Sequence, residues 1–427
     1  MRRKRLKAWQ VALGITVAFG LCGWGTSWYA TYRAQQALNH ALARLQELGF
    51  ATEFSRAEPS VPDDSNAAII YERAAREMAA MHIRRPPMFI TKTNEVDYYA
   101  GVQAYASAMK PVWPLIDQAL LRPNCKFRIM NDESTPYMNN SLFEFVPLQE
   151  SLRSVARLAS HDGDFARAQS MLQKSVRMIG QLKQPSLESL LARQRMSSAT
   201  LDELDKEIQE WGERAEFRVL ATKTLDSIPS LPTVFSSFAV SIPEQRQIFV
   251  NIRHYDDEKT DTPMFNQLQR YALRFEVVRL SAQTKALNHW ADALTVMKRA
   301  RGDWRLADQA IGQMNRSMSV DTSITGVIAY AFSDVYEGIG LGIGRTEARI
   351  CLTRTALELY AIRSKTGTFP EALPRPVVDP LSGNLIYRRE GSGFRLYSVG
   401  LNGIDNGGKK SYPKHSDDVE FAGYWRP

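Results

Sequence analysis

Catalysis needs reactive side chains that converge, so histidines, cysteines, acid clusters and glycine-rich turns are the first residues to weigh. The six histidines (40, 82, 161, 254, 289 and 415) are scattered, with no HExxH and no other paired spacing. His161-Asp162 has the dipeptide of a metal-dependent phosphohydrolase, but without further histidines on neighbouring helices it reads as a turn. Gly338, Gly340, Gly342 and Gly344 form GIGLGIG, which fails the dinucleotide-binding fingerprint because Ile343 stands where the third glycine belongs. It also follows a helical pattern rather than a strand, and reads as a small-residue junction. Asp256, Asp257, Glu258 and Asp261 lack the ligand order and central glycine of an EF-hand and read as a solvated loop. No GxSxG, SxxK, Walker or CxxC sequence occurs. No catalytic residue emerges, and the expectation leans away from an enzyme.

Whatever the chain does must therefore be sought in the elements it builds. A length of 427 residues allows two or three domains with substantial cores. Hydrophobic content of 44% and charged content of 23% are ordinary for folded protein, which excludes wholesale disorder. The net charge is +8, but Arg2, Arg3, Lys4, Arg5 and Lys7 supply five of those charges. The remainder carries about +3, too little to argue for nucleic acid as a partner.

The basic cluster runs straight into Trp9–Tyr29, which holds no charged side chain. At about 1.5 Å per residue this stretch spans roughly 30 Å, the thickness of a bilayer core. Trp24, Trp28, Tyr29 and Tyr32 crowd its far end, where aromatic rings favour the interface. An uncleaved transmembrane anchor is expected over residues 9–29. The basic residues 1–8 would stay in the cytoplasm and the bulk would lie outside the inner membrane. A cleaved signal peptide is the competing reading; no small-x-small cleavage site supports it. Cys22 falls inside the anchor, which leaves Cys125 and Cys351 either bridged or as two buried free thiols.

Beyond the anchor, helical spacing dominates. Residues 30–66 are expected to be a stalk helix, ending near Leu48, followed by a proline-punctuated linker. Residues 67–344 are expected to form a helical extracytoplasmic body, with helices over 67–81, 98–121, 148–160, 165–182, 187–211, 215–225, 244–254 and 264–301. The pair around His161-Asp162-Gly163-Asp164 looks like a tetratricopeptide-type hairpin, with Gly163 suited to a left-handed cap and Asp164 to an N-cap. It does not recur at a fixed period.

The last stretch is the most legible. A helix over 345–365 is followed by GTFPEALP, DPLSGNLIYRR and GFRLYSVGLNGIDNGG, and finally by SDDVEF. Residues 385–389 and 394–399 read as two strands joined at Gly391-Ser392-Gly393. This order of turns and aromatic strands resembles the globular end of the major pseudopilin of type II secretion, over residues 345–419. The whole chain resembles membrane-anchored bacterial proteins that add such an end to a helical body. The resemblance implies a calcium ion in the loop after the last strand. It would be held by the carbonyl of Val399 and the side chains of Asn402, Asp417 and Asp418, with Asp405 adding a carboxylate.

The expected fold is thus mainly α: a transmembrane helix, a helical ectodomain and a small α+β pseudopilin-like module over 345–427. The expected function is a membrane-anchored, periplasmic interaction or structural protein, with the bilayer and other proteins as partners. A subunit of a secretion or pilus-like apparatus, and an enzyme whose residues meet only in three dimensions, are the alternatives.

Overall fold

The computed structural model describes residues 8–53, 61–81, 95–127, 140–251, 272, 274–331, 338–400, 403–408 and 419–421. Among these it contains thirteen α-helices and one small antiparallel sheet. In chain order the helices are α1 (Ala8–Glu47), α2 (Ala67–Ala80), α3 (Glu95–Ala108), α4 (Trp113–Leu120), α5 (Asn140–His161), α6 (Phe165–Gln181) and α7 (Leu187–Trp211). They continue as α8 (Ala215–Ser227), α9 (Val234–Asn251), α10 (Glu276–Arg299), α11 (Trp304–Ser319), α12 (Ile324–Ala331) and α13 (Ile339–Thr366). The strands are β1 (Ile386–Glu390), β2 (Gly393–Ser398) and β3 (Val419–Phe421), in the order β1-β2-β3.

The chain divides into two compact units built from interleaved segments. One comprises residues 1–58, 131–136 and 239–337; the other comprises 59–130, 137–238 and 338–427.

In the first unit, α1 runs without a break from Ala8 to Glu47. Its described side chains are exposed or half-buried as far as Arg33, and from Ala34 a stripe of Leu38, Ala41, Leu42 and Leu45 is buried. Among the described residues no helix is long and apolar enough to cross a membrane. The transmembrane part of the expected fold is therefore not carried by the structure, and the side chains before Thr16 lie outside the described residues. Helices α10 and α11 form a hairpin whose turn needs Gly302 at φ 95°, and Asp303 caps α11 by accepting from the Arg305 N–H. Helices α11 and α12 are additions to the helices that the sequence spacing predicts.

In the second unit, the expected hairpin α5–α6 is present. Gly163 has φ 76°, and the Asp164 carboxylate accepts from the Arg167 N–H. The cap of α2 is Asn66, and Asp63–Ser65 form a 3-10 turn ahead of it. The Asn66 amide oxygen accepts from the Ala68 and Lys126 N–H groups, which ties the start of α2 to the strand-like segment after α4.

One core of this unit gathers Tyr71, Ile116, Phe127, Phe145 and Ile179 from α2, α4, α5, α6 and the segment after α4. The other gathers Leu172, Leu204, Ile208, Phe217, Leu352, Leu359 and Tyr360 from α6, α7, α8 and α13. It also takes in Phe369, Phe394 and Leu396, so the C-terminal hairpin shares its core with helices of the body. Tyr360, Phe369 and Phe394 meet edge to face with centroids 4.7–6.0 Å apart. Each such pair contributes about 0.5–1.5 kcal/mol beyond its buried area.

The GIGLGIG stretch is not a junction. Gly338 caps α13 at φ 83° and the other three glycines lie in its first two turns. A Cβ at position 342 would overlap the Gln194 amide, which reaches across from α7 to the Ile339 carbonyl.

Candidate functional site

The expected calcium loop is described only in part. Asn402, Asp417 and Asp418 lie outside the described residues. Val399 is nearly buried after β2, and Asp405 sits in the exposed turn beyond it. The Asp405 carboxylate already has partners: Oδ1 accepts from the Tyr397 hydroxyl at 2.7 Å and the Gly407 N–H at 2.8 Å. Its Oδ2 faces the Arg388 guanidinium at 2.7 Å. These hydrogen bonds, Tyr397 first, hold its carboxyl below its ordinary range. A guanidinium stands where a cation would approach, so Asp405 does not fit as a free ligand. Among the described residues no cluster of three or more acids, histidines and cysteines could hold a metal.

The neighbouring Asp379 is the organiser of this end. Its carboxylate accepts from Ser398 Oγ at 2.6 Å and the Leu381 N–H at 2.9 Å, pinning the turn before β1 against β2. Cys125 and Cys351 are both free thiols, and burial pushes each of them up. His161 closes α5 and stacks on Tyr99 at 3.7 Å, a packing role.

Sequence reasoning missed a polar seam between α5 and α7. Gln149 donates to Ser175 Oγ and Thr200 Oγ1, and its amide oxygen accepts from Arg153. One turn on, Arg157 lies 3.4 Å from Glu203 and covers the Tyr98 ring at 5.6 Å. That approach makes an ion pair but is not aligned as a hydrogen bond, since Glu203 Oε1 has no hydrogen-bond donor. A further turn on, the Ser160 hydroxyl donates to Glu207 Oε2 at 3.1 Å, and Glu207 Oε1 has no donor. Burial, then the charge of Glu203, pushes the Glu207 carboxyl up to about 8. A neutral carboxylic acid can give a proton, but Glu203 is 6% and Glu207 2% exposed. The signal for the seam was present: Arg153 and Arg157 on α5, and Glu203 and Glu207 on α7, are each four residues apart.

Among the described residues an open cleft of about 420 Å³ lies where the α7–α8 turn meets the end of α13 and the hairpin. Trp211, Arg214, Tyr360, Arg363, Phe369 and Gly393 contribute to its walls. Arg214 lies over the Trp211 ring at 4.6 Å and Arg363 over the Phe369 ring at 4.8 Å. Arg363 also pairs with Glu213 at 3.1 Å. Gly212 lets the turn press on α13, because a Cβ there would come within 2.8 Å of the Tyr360 ring. Aromatic faces with charged edges suit contact with another chain, which they can both desolvate and orient.

No protein-family model, no curated protein and no solved structure matches this chain.

Proposed function

We propose that this chain is a membrane-anchored extracytoplasmic interaction protein. Helix α1 holds it in the inner membrane through residues 9–29, N-terminus inside, and a protein partner docks in the cleft walled by Trp211, Arg214, Arg363 and Phe369. The observation that carries the reading is the change in α1 at residue 34. Val17, Phe19, Leu21, Trp24, Trp28 and Tyr29 are more than half exposed, and the packed stripe begins only with Ala34. An apolar shaft of that length in water is an aggregation liability, and in lipid it is solvated. The resemblance of residues 345–419 to a pseudopilin end supports a partner within a secretion or pilus-like apparatus.

The test is fractionation of cells making the full chain, followed by crosslinking. The chain is expected to stay with membranes through an alkaline carbonate wash. A crosslinked partner is expected to be lost in the Arg214→Glu/Arg363→Glu variant. Release by carbonate overturns the anchor; crosslinking that ignores the two substitutions overturns the cleft. The identity of the partner decides whether the apparatus is pilus-like.

A further inference from the structure

Helices α1 and α10 run parallel at a fixed register. Arg44 reaches Asn288 at 3.2 Å and Asp292 at 2.7 Å, and Lys298 reaches the Leu48 carbonyl at 3.1 Å. Positions at one level are therefore 244–250 residues apart. Antiparallel packing would carry Lys298 several turns away from Leu48. Burial follows the same register: among the described side chains the first buried residue is Ala34 in α1 and Ala282 in α10, which are 248 apart.

Before that level the described side chains of both helices are exposed or half-buried, while Ala272, ahead of α10, is buried. In α1, Trp28, Tyr29 and Tyr32 are 50–60% exposed, and Trp28 stacks on Tyr32 at 5.8 Å. At the α10 end, Phe275 is 49% exposed and Val277, Val278 and Leu280 are only half-buried. The register sets Phe275 level with residues 25–31 of α1, the aromatic belt itself.

We propose that the N-terminal end of α10, Arg274–Leu280, is a second membrane contact, with Phe275 at the boundary between headgroups and acyl chains. The proposal rests on α1 being the anchor: if α1 crosses the bilayer with its aromatic belt at the interface, the α10 end stands at the same depth. Its composition fits a lipid surface. Phe275 is exposed among half-buried aliphatic side chains, and the exposed Arg33 and Arg274 outnumber the exposed Glu276 beside anionic headgroups. Two contacts at one level stop this unit from swinging about a single helix.

The test uses the full chain, with its three cysteines replaced by alanine, in vesicles of phosphatidylethanolamine and phosphatidylglycerol. A spin label is placed in turn at Trp28→Cys, Phe275→Cys, Val278→Cys and Leu306→Cys. Leu306 is exposed near the α10–α11 turn, at the far end of the hairpin. Labels at 28, 275 and 278 should be reached by dissolved oxygen and shielded from a water-soluble nickel chelate. Their accessibility ratio should be severalfold that at 306. Labels at 275 and 278 that read like 306 while 28 reads lipid overturn the second contact and leave the anchor standing. A label at 28 that also reads water removes both.

Discussion

At the scale of single residues, Glu207 is the buried acid whose protonation is moved into the neutral range. Its carboxyl, pushed up to about 8 by burial and by Glu203, is neutral at neutral pH, against the opposing pull of Arg157 and the Ser160 hydroxyl. Unfolded, a glutamate titrates near 4.3. The folded chain therefore binds this proton more tightly. The stability it contributes is fully present below about pH 4.3 and is lost as pH rises through about 8. Glu207→Gln keeps the shape and an acceptor for Ser160 but has no proton to lose. Between about pH 5 and 8.5, the parent's melting temperature should fall more steeply with pH than the variant's. Near pH 8 the variant should be the more stable, by about 2–4 °C for each kcal/mol recovered. Parallel slopes would mean that water or a donor reaches Glu207 Oε1. In the sequence the seam is hard to see because each charged residue alone reads as a solvated face. Only the pairing of arginines four apart on α5 with acids four apart on α7 gives it away.

At the scale of elements, the boundaries that sequence predicts differ from the observed ones where a proline or glycine falls inside a helix. Pro147 lies inside α5 and Pro243 inside α9, and each helix starts several residues before its proline. A proline inside a helix removes one backbone hydrogen bond and clashes with the carbonyl one turn earlier, yet both helices run through it. The start of α9 is set instead by Thr233, which accepts from the Ser236 N–H. The glycines of GIGLGIG likewise read as a small-residue junction, whereas α13 runs through Gly340, Gly342 and Gly344, and at Gly342 the missing Cβ makes room for Gln194 of α7. Helices with continuous stripes and polar caps, such as α6 and α7, were legible to within a residue or so. Two glycines separate the effects. At Gly212 an alanine meets the Ile208 carbonyl and the packed ring of Tyr360, and neither can move aside. Gly212→Ala should cost about 1–3 kcal/mol by overpacking. At Gly342 the obstacle is the mobile end of Gln194, and alanine recovers about 1 kcal/mol of helix propensity. Gly342→Ala should therefore stay within about 1 kcal/mol of the parent. Denaturant midpoints for the two variants check the ranking, and a Gly342→Ala loss as large as that of Gly212→Ala would sink it.

At the scale of the whole molecule, sequence order and spatial order part company. Turns and aromatic alternation mark residues 345–427 as a module, because those signals are local. What they leave out is where the apolar faces are spent. Leu352, Ala356, Leu359 and Tyr360 of α13, with Phe394 and Leu396 of β2, enter the same core as Leu204, Ile208, Phe217 and Leu220 of α7 and α8. Polar links follow the same course: Arg349 donates to Asp205 at 2.8 Å and to the Ser198 carbonyl at 3.1 Å, and Thr353 also donates to Asp205. A hairpin and one helix, cut away from α7 and α8, would expose that face and keep too small a core to fold. A fragment of residues 345–427 should therefore give poorly dispersed amide resonances and no cooperative melt. The intact unit should lose its C-terminal hairpin and its α7–α8 helices in one transition. Within the full chain, Leu352→Ala should cost about 2–5 kcal/mol, as truncation at a filled core site does. It should lower protection from hydrogen exchange in α7 as well as in α13. A well-folded fragment, or protection lost only in α13, would restore the independent module and strengthen its likeness to a pseudopilin end. Failure to fold alone would instead mean that any partner recognised by this end also meets the helices that support it, at the cleft where they join.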